Sequence, residues 1–227
     1  EDVRLRDVTT AYAVLAIAGP RAPDLLSNVM NIDISDKSFP TYHLRHAQIG
    51  HAPIFAQRLS FTGETGWEIF VTPDFAEHVL ETVLEAGDPS GLRLAGCEAL
   101  NALRIETGFL HWGADMAYSE APHQMQLDFT CKTDKPSPFI GQDAYLARKA
   151  GQEGPYLRSV RLADDQAILH HNEPVLRDGQ IIGFVTSGAF CAAHGAAVGL
   201  CLVSPTNGAD SVDDGPCIVM VEGREVP

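Results

Sequence analysis

The hydrophobic pattern of this 227-residue chain changes near residue 150, and no other feature of the sequence limits the possible folds as strongly. Before that point, short apolar runs alternate with segments whose apolar residues recur at helical spacing. After it, the apolar segments are short and bounded by turn residues, as in AVGLCLVS at 197–204 and PCIVMVEG at 216–223. Short strands at such spacing are typical of small antiparallel barrels and sandwiches. The pattern predicts two domains, residues 1–150 and residues 151–227.

Helices are predicted at four places before the second domain begins. The segments APDLLSNVM at 22–30 and PDFAEHVLETVLEAG at 73–87 place their apolar side chains on one helical face. The segment CEALNALRIET at 97–107 has related spacing and ends at Gly108, a residue that commonly terminates helices. A shorter helix is predicted near 142–150, inside a connection rich in proline and glycine.

Strands of the first domain are predicted from apolar runs and from one hairpin signal. AYAVLAIA at 11–18 is a continuous apolar run, as expected for a buried strand. Extended segments near 42–49 and 52–61 are joined across Gly50-His51, which favours a hairpin. Helices that cover one face of a mostly antiparallel sheet define the α+β class. We therefore expect an α+β domain followed by a small antiparallel β-barrel.

Charge and cysteine content exclude several classes of function. The formal net charge of −14 argues against nucleic acid and against anionic membrane surfaces as partners. No apolar run approaches the roughly 20 residues that a membrane-spanning helix needs. The five cysteines are odd in number and show no C-x-x-C spacing, which favours free thiols in a reducing compartment. The expected location is the cytoplasm of a bacterium or the mitochondrial matrix of a eukaryote.

Short motifs for nucleotides, nucleophilic catalysis and metals are missing from the sequence. There is no Gly-x-Gly-x-x-Gly fingerprint, no P-loop and no G-x-S-x-G nucleophile elbow. The nine histidines show none of the recognised zinc spacings, so we interpret them as loop or surface residues. No metal site is predicted.

Two charged residues remain as candidates for a site. Glu64 lies between two glycines in SFTGETGWEIFV at 60–71, just before an apolar strand. Arg104 lies at the border of the predicted apolar face of the 97–107 helix. Each has a simpler explanation: Glu64 as a turn residue beside glycines that adopt positive φ, and Arg104 in an ion pair with a surface acid such as Glu98 or Glu106. The spacing of these residues alone does not decide between a ligand-binding role and a structural role.

Four stretches together resemble the folate-binding T-protein (aminomethyltransferase) superfamily, most closely the C-terminal half of sarcosine and dimethylglycine dehydrogenases. They occur in the family order, and the resemblance that they carry extends over nearly the whole chain. The stretches are SFTGETGWEIFV at 60–71, EALNALRIETGFLHWGADM at 98–116, PFIGQDAYLARKAG at 138–151 and NEPVLRDGQIIGFVTSG at 172–188.

The resemblance implies a fold and a cofactor. The implied fold is a ferredoxin-like mixed α/β domain of the T-protein folate-binding type, followed by the small antiparallel β-barrel. The implied cofactor is tetrahydrofolate, and FAD would be held only in an upstream flavin domain. In the family, a glutamate that matches Glu64 binds the pterin, and an arginine that matches Arg104 is implicated in folate binding. The one-carbon unit would come from an iminium derived from an N-methyl amine, or from formaldehyde, and the product would be 5,10-methylenetetrahydrofolate.

Departures from the family pattern keep two alternatives open. The family's catalytic acid matches no residue here and is expected upstream, so we expect this chain alone to be inactive. Gln124 replaces an expected acid, and Ala114 also departs from the pattern. The alternatives to a dehydrogenase portion are a stand-alone aminomethyltransferase, like the T-protein of glycine cleavage, and a non-catalytic regulatory or binding module on the same fold.

Overall fold

The computed structural model describes residues 2–151, 154–205 and 215–227. Packing divides the chain into two compact units, Glu1–Cys97 and Glu98–Pro227. Each unit contains one antiparallel sheet together with helices, which confirms the predicted α+β class. Residues 98–150 pack in the same unit as the C-terminal strands, and the predicted domain division near residue 150 stays a prediction.

The first unit is a four-stranded antiparallel sheet with two helices. The elements along the chain are β1 (Ala13–Ala18), α1 (Ala22–Val29), β2 (Leu44–Ile49), β3 (Ala52–Gln57), β4 (Gly66–Val71) and α2 (Pro73–Gly87), with short 3₁₀ turns at Thr9–Ala11 and Asp88–Ser90. The sheet order is β1-β4-β3-β2, and each neighbouring pair is antiparallel.

The core of the first unit follows from the two periodicities of the sequence. Along β3 and β4, alternate side chains are buried, because successive residues of a strand point to opposite faces. On α2, Val79 and Val83 are buried four residues apart, one helical turn, on the face that packs into the core. Trp67 and Phe39 meet edge to face in this core, with ring centroids 6.4 Å apart. The predicted hairpin of β2 and β3 is confirmed.

The strand predicted at 11–18 is present as β1, but the prediction that it is buried is wrong. β1 is an edge strand of the sheet and pairs only with β4 among the described strands. Ile17 is buried, whereas Val14 is half exposed. A continuous apolar run does not distinguish an edge strand from a central one, because the position in the sheet depends on which other strands pair with it.

The second unit is a six-stranded antiparallel sheet preceded by two helices and a long irregular segment. The elements are α3 (Cys97–Thr107), α4 (Gln142–Ala150), β5 (Tyr156–Arg161), β6 (Pro174–Arg177), β7 (Gln180–Cys191), β8 (Ala196–Val203), β9 (Ile218–Val221) and β10 (Arg224–Val226), with a 3₁₀ turn at Asp128–Thr130. The order of strands in the sheet is β10-β9-β6-β7-β8-β5.

The hairpin of β6 and β7 turns at Asp178 and Gly179, as their sequence indicates. Both residues have positive φ, 50° and 75°, which is the backbone conformation that a two-residue hairpin turn demands. The longest pairing in the unit follows, between β7 and β8. Within the described ranges, no helix combines the length and the apolar character that crossing a bilayer would require.

Candidate functional site

Glu64 lies on an exposed loop that leads into β4. The loop is shaped by two hydroxyls: Ser60 and Thr62 are hydrogen bonded to each other at 2.8 Å, and the backbone N–H of Thr62 donates to the Ser60 hydroxyl at 3.1 Å. The backbone N–H of Glu64 donates to the Thr62 hydroxyl at 3.4 Å. Among the described residues, the Glu64 carboxylate itself takes part in no hydrogen bond or ion pair. Its oxygens are therefore available to accept hydrogen bonds from a ligand.

The two glycines beside Glu64 serve different purposes. Gly63 has a φ of 78°, a conformation that residues with a Cβ rarely adopt. Gly66 is buried, and a Cβ at this position would lie 2.9 Å from the carbonyl oxygen of Ile17 and 2.9 Å from Cβ of Ser60. Gly66 is thus required for the close packing of β4 on β1, and only Gly63 belongs to the exposed tip of the loop.

A cavity of about 270 Å³ lies beside this loop in the first unit. The carbonyl of Thr65, the residue after Glu64, accepts a 3.0 Å hydrogen bond from the N–H of Gly19, and Gly19 lines the cavity. Arg21 and Arg93 are exposed and line the same cavity. The backbone of the loop is thus hydrogen bonded to a residue that lines the cavity, and the loop and the cavity belong to the same unit.

Arg104 lies in the interior of the second unit, with 3% of its side chain exposed. Its Nη1 donates to the Asp115 carboxylate, which is also its ion-pair partner, and to the carbonyl of Phe109 at 3.2 Å. Its Nε donates to Asn101 at 2.9 Å, and its Nη2 donates to the Ser187 hydroxyl at 2.6 Å. The guanidinium thus joins α3, the segment that follows it and β7.

Asp115 is the centre of this buried network. Its carboxylate accepts hydrogen bonds from the backbone N–H of His111 at 2.8 Å and from the Thr186 hydroxyl at 2.7 Å. Burial by itself raises the pKa of Asp115. The hydrogen bonds from Ser187, His111 and Thr186, together with the positive charge of Arg104, outweigh burial and hold the pKa below its ordinary value. Asp115 is therefore ionised and internally neutralised at neutral pH.

The predicted surroundings of Arg104 are wrong in two respects. Arg104 lies within the buried face of α3, not at the border of an apolar face, and Leu100 and Leu103 of the same helix are 38% and 39% exposed. Its ion-pair partner is also not a surface acid, because Asp115 is 1% exposed. Helical spacing could not identify this partner, since Asp115 lies in an irregular segment after the helix. The assignment of Arg104 to folate binding stays a prediction.

The Arg104–Asp115 pair predicts how stability depends on pH. Because the folded state lowers the pKa of Asp115, the stabilisation is present above the unfolded pKa of about 3.9 and is lost as pH falls through the folded pKa. We expect urea unfolding to show that the wild type has a larger free energy of unfolding than Asp115→Asn. This difference should be constant near neutral pH and should shrink below about pH 4. As a control, Asp36→Asn removes the partner of Arg58 at a position whose side chain is 91% exposed, and it should have little effect at any pH. If the difference in free energy of unfolding between the wild type and Asp115→Asn is the same at pH 7 and at pH 3, this prediction is contradicted.

Gln124, which departs from the family pattern, is part of the interior. It is 3% exposed, its Oε1 accepts from the N–H of Ala121 at 2.6 Å and from Arg148 at 3.1 Å, and its Nε2 donates to the Pro155 carbonyl at 3.1 Å. Both the oxygen and the nitrogen of the Gln124 amide are therefore hydrogen bonded. It holds the segment before α4 against the start of the C-terminal strands.

A second cavity, of about 490 Å³, lies in the second unit and contains neither Glu64 nor Arg104. Its lining includes Arg158, Arg177, Cys201 and Cys217. Burial raises the pKa of Cys201 to about 12, and a charge on Cys217 would raise it further, so Cys201 is a poor nucleophile at neutral pH. The thiols differ in exposure: Cys191 and Cys201 are buried, whereas Cys97 is exposed.

Known proteins resemble the chain over nearly its whole length. The 4-methylaminobutanoate oxidase (formaldehyde-forming) of Paenarthrobacter nicotinovorans is 36% identical over 97% of this chain and 26% of its own length. Mitochondrial dimethylglycine dehydrogenase of Rattus norvegicus is 35% identical over 83% of this chain and 22% of its own length. An aminomethyltransferase of Clostridium botulinum is 32% identical over 89% of this chain and 54% of its own length. The chain thus spans about a quarter of the oxidase and of the dehydrogenase, and about half of the aminomethyltransferase.

A solved structure and two domain families agree with these relatives. The crystal structure of the glycine cleavage system aminomethyltransferase T from Bartonella henselae has a TM-score of 0.80 over 95% of this chain and 57% of its own, at 22% identity, which shows a shared fold. Family models match residues 1–135, as the GCVT N-terminal domain, and residues 157–227, as the glycine cleavage T-protein C-terminal barrel domain. The resemblance drawn from the four sequence stretches is confirmed, and this chain belongs to the glycine cleavage T-protein (aminomethyltransferase) family.

Proposed function

We propose that this chain is the tetrahydrofolate-binding part of a flavin-dependent enzyme that demethylates an N-methylated amine. The proposal follows from membership of the aminomethyltransferase family and from the relatives that share almost all of the chain. One is named as an oxidase that forms formaldehyde, and another is named as a dimethylglycine dehydrogenase. The first name states that formaldehyde is formed from a methylamino compound, and the second names dimethylglycine as the compound that is dehydrogenated. FAD would act in a region outside these 227 residues, and the protein would work in a bacterial cytoplasm or in the mitochondrial matrix.

The exposed carboxylate of Glu64 is the observation that carries the folate assignment. A pterin ring presents a ring N–H and an exocyclic amino group as adjacent donors, and an ionised carboxylate offers paired acceptors for them. Glu64 lies at the tip of a loop beside a cavity, and no described residue occupies its oxygens. The same cavity carries Arg21 and Arg93, whose charges suit the carboxylates at the other end of a folate.

The chemistry of the proposed reaction is a transfer at the oxidation level of formaldehyde. Bound tetrahydrofolate would accept the one-carbon unit and become 5,10-methylenetetrahydrofolate, with water released from formaldehyde or an amine released from an iminium. The role of Glu64 is to orient the pterin, because an ionised carboxylate that accepts two hydrogen bonds sets both position and angle. The family's catalytic acid matches no residue of this chain, so we propose that the chain alone binds folate without catalysing transfer.

Arg104 has a separate place in this proposal. Direct folate binding by Arg104 stays a prediction, drawn from the family motif alone. Its described bonds hold α3, Asp115 and β7 together inside the second unit. Loss of folate binding in an Arg104 variant therefore has to be measured on protein that is shown to be folded.

Titration of the 227-residue chain with a chemically stable reduced folate tests the binding proposal. We expect heat of binding at one site per chain. Folded protein that shows no binding would overturn the folate assignment and favour the alternative of a binding or regulatory module. Glu64→Gln, described in the Discussion, then tests the residue rather than the ligand.

A second experiment separates the dehydrogenase from the stand-alone aminomethyltransferase, which the aminomethyltransferase relative keeps open. The natural protein that carries this chain is incubated with tetrahydrofolate and an N-methylated amine. Amine-dependent formation of 5,10-methylenetetrahydrofolate, together with reduction of a bound flavin, supports the dehydrogenase. Formation that requires an aminomethyl group on a carrier, with no flavin signal, supports the aminomethyltransferase and contradicts our proposal.

A further inference from the structure

A second group of reactive side chains lies in the second unit, apart from the residues proposed for folate. It consists of Glu106 on α3, Cys191 at the end of β7 and His194 in the turn that follows. One ligand atom from each, a carboxylate oxygen, the Cys191 sulfur and an imidazole nitrogen, lies within 4.8 Å of the other two. Glu106 and His194 are exposed and Cys191 is buried, so the group faces solvent on one side only.

The turn between β7 and β8 brings Cys191 and His194 together. The N–H of His194 donates to the carbonyl of Cys191 at 3.2 Å, and Gly195 follows with a φ of 59°. This closed turn reverses the chain and returns His194 to the Cys191 side. Two residues separate Cys191 from His194, an interval that cysteine pairs in zinc sites also use. A cysteine–histidine pair at this interval is not a recognised zinc spacing by itself, and the third ligand, Glu106, is distant in the chain.

Glu106 is held next to this turn by the buried residues that precede it on α3. Arg104 donates to Ser187 on β7 at 2.6 Å, which ties the end of the helix to the strand. Ile105 and Cys191 belong to the same hydrophobic cluster. Interior packing consequently positions the backbone at Glu106 and Cys191, and the closed turn positions His194, as a preorganised site requires.

We propose that Glu106, Cys191 and His194 form a zinc-binding site. A thiolate, an imidazole and a carboxylate are the three ligand types that Zn²⁺ takes in proteins, and the thiolate disfavours Mg²⁺ and Ca²⁺. Three protein ligands leave a fourth tetrahedral position for water or another small ligand. The net charge of −14 favours a cation.

The geometry needs only a small adjustment for an ion to bind. Zinc bonds of about 2.0–2.3 Å place tetrahedral ligand atoms roughly 3.5 Å apart. To bring the three ligand atoms from within 4.8 Å of one another to this separation, the side chains must move by about 1 Å. Glu106 and His194 can supply these movements by rotating their exposed side chains while the buried Cys191 stays in place.

Titration with Co²⁺, which substitutes for zinc and absorbs light, tests the proposal on the reduced 227-residue chain. We expect one Co²⁺ per chain, a thiolate-to-metal charge-transfer band, the visible bands of tetrahedral cobalt, and displacement of Co²⁺ by Zn²⁺. Cys191→Ser should abolish the charge-transfer band. His194→Ala and Glu106→Gln should each weaken Co²⁺ binding at least about tenfold. Mutating a residue that only hydrogen bonds to a metal ligand already lowers metal affinity by about that factor.

Matched variants outside the group are the controls. Cys201→Ser removes another buried thiol, His170→Ala another exposed imidazole, and Glu98→Gln another exposed carboxylate on α3. All three should leave the Co²⁺ spectrum and affinity unchanged. The proposal is overturned if the folded wild type binds no Co²⁺ with a thiolate band, or if the band survives in Cys191→Ser. Should circular dichroism show that Cys191→Ser is unfolded, His194→Ala decides alone, because its position is exposed: an unchanged affinity overturns the site.

Discussion

Replacing Arg104 with alanine is expected to lower the free energy of unfolding of this protein by about 3–5 kcal/mol. The reason is the partner left behind: Asp115 is 1% exposed, and without Arg104 its charge remains buried with no cation beside it. The Ser187 hydroxyl and the Phe109 carbonyl also lose donors. The loss should be as large at high salt as at low salt, because ions do not screen a pair inside the protein.

Urea unfolding followed by circular dichroism measures this loss, on the transition of the Glu98–Pro227 unit if the two units unfold separately. Lys149→Ala is the matched control, because it removes the cation of an ion pair whose side chains are 49% and 41% exposed. That change should cost about 1 kcal/mol or less. The double variant Arg104→Met/Asp115→Leu should recover much of the loss, since two apolar side chains leave no unpaired charge. A loss below about 1 kcal/mol for Arg104→Ala would contradict the description of a buried, fully engaged pair.

Glu64→Gln is expected to weaken the binding of a reduced folate by about 30- to 1,000-fold, or about 2–4 kcal/mol. Glutamine keeps the shape of the side chain but replaces one acceptor with an N–H donor, which then faces a donor of the pterin. The protein itself should be nearly as stable as the wild type, within about 0.5 kcal/mol, because Glu64 is exposed and its carboxylate bonds to no described residue. The effect should persist at high salt, since it arises from a mismatch of donors rather than from long-range charge.

Isothermal titration at low and high salt, on wild type and variant, measures the change in affinity. Glu81→Gln is the control, because it neutralises an exposed acid on α2 that the proposed site does not use. The two possible failures can be told apart. Unchanged affinity in Glu64→Gln removes Glu64 from the site while leaving folate binding in place, whereas a wild type that binds no folate removes the proposed function.

Local structure was largely predictable because short-range rules decide it. The turn at Asp178 and Gly179 follows from residues that tolerate positive φ, and the burial of Val79 and Val83 follows from helical spacing. The predicted α+β class is confirmed for the same reason, since it depends on the order and type of elements. Family membership could also be predicted from the sequence, because the GETGWE and NALRIE stretches retain the order and the side chains of the family pattern.

Long-range structure was less predictable, as α3 and β1 show. The hydrophobic pattern of α3 gave no indication that an arginine would be its most buried polar side chain. Burial of Arg104 is possible because its guanidinium finds acceptors on every side. Asn101 is on the same helix, whereas Asp115, Phe109 and Ser187 come after the helix, at distances in the chain that helical spacing does not describe. In the same way, the edge position of β1 depends on its partner β4 rather than on its own composition.

The sequence by itself determined the helices and strands, the hairpin turns, the family and the identity of Glu64 as a candidate ligand. Each of these depends on residues that are close together in the chain or on motifs that are contiguous in the sequence. Only the tertiary structure decided that Glu64 is exposed on a loop hydrogen bonded to a residue that lines a cavity, that Arg104 is neutralised by a buried Asp115, and that Glu106 lies beside Cys191 and His194. The physical reason is the same in each case: burial and charge pairing depend on contacts between residues far apart in sequence, and local periodicity carries no information about which of them meet.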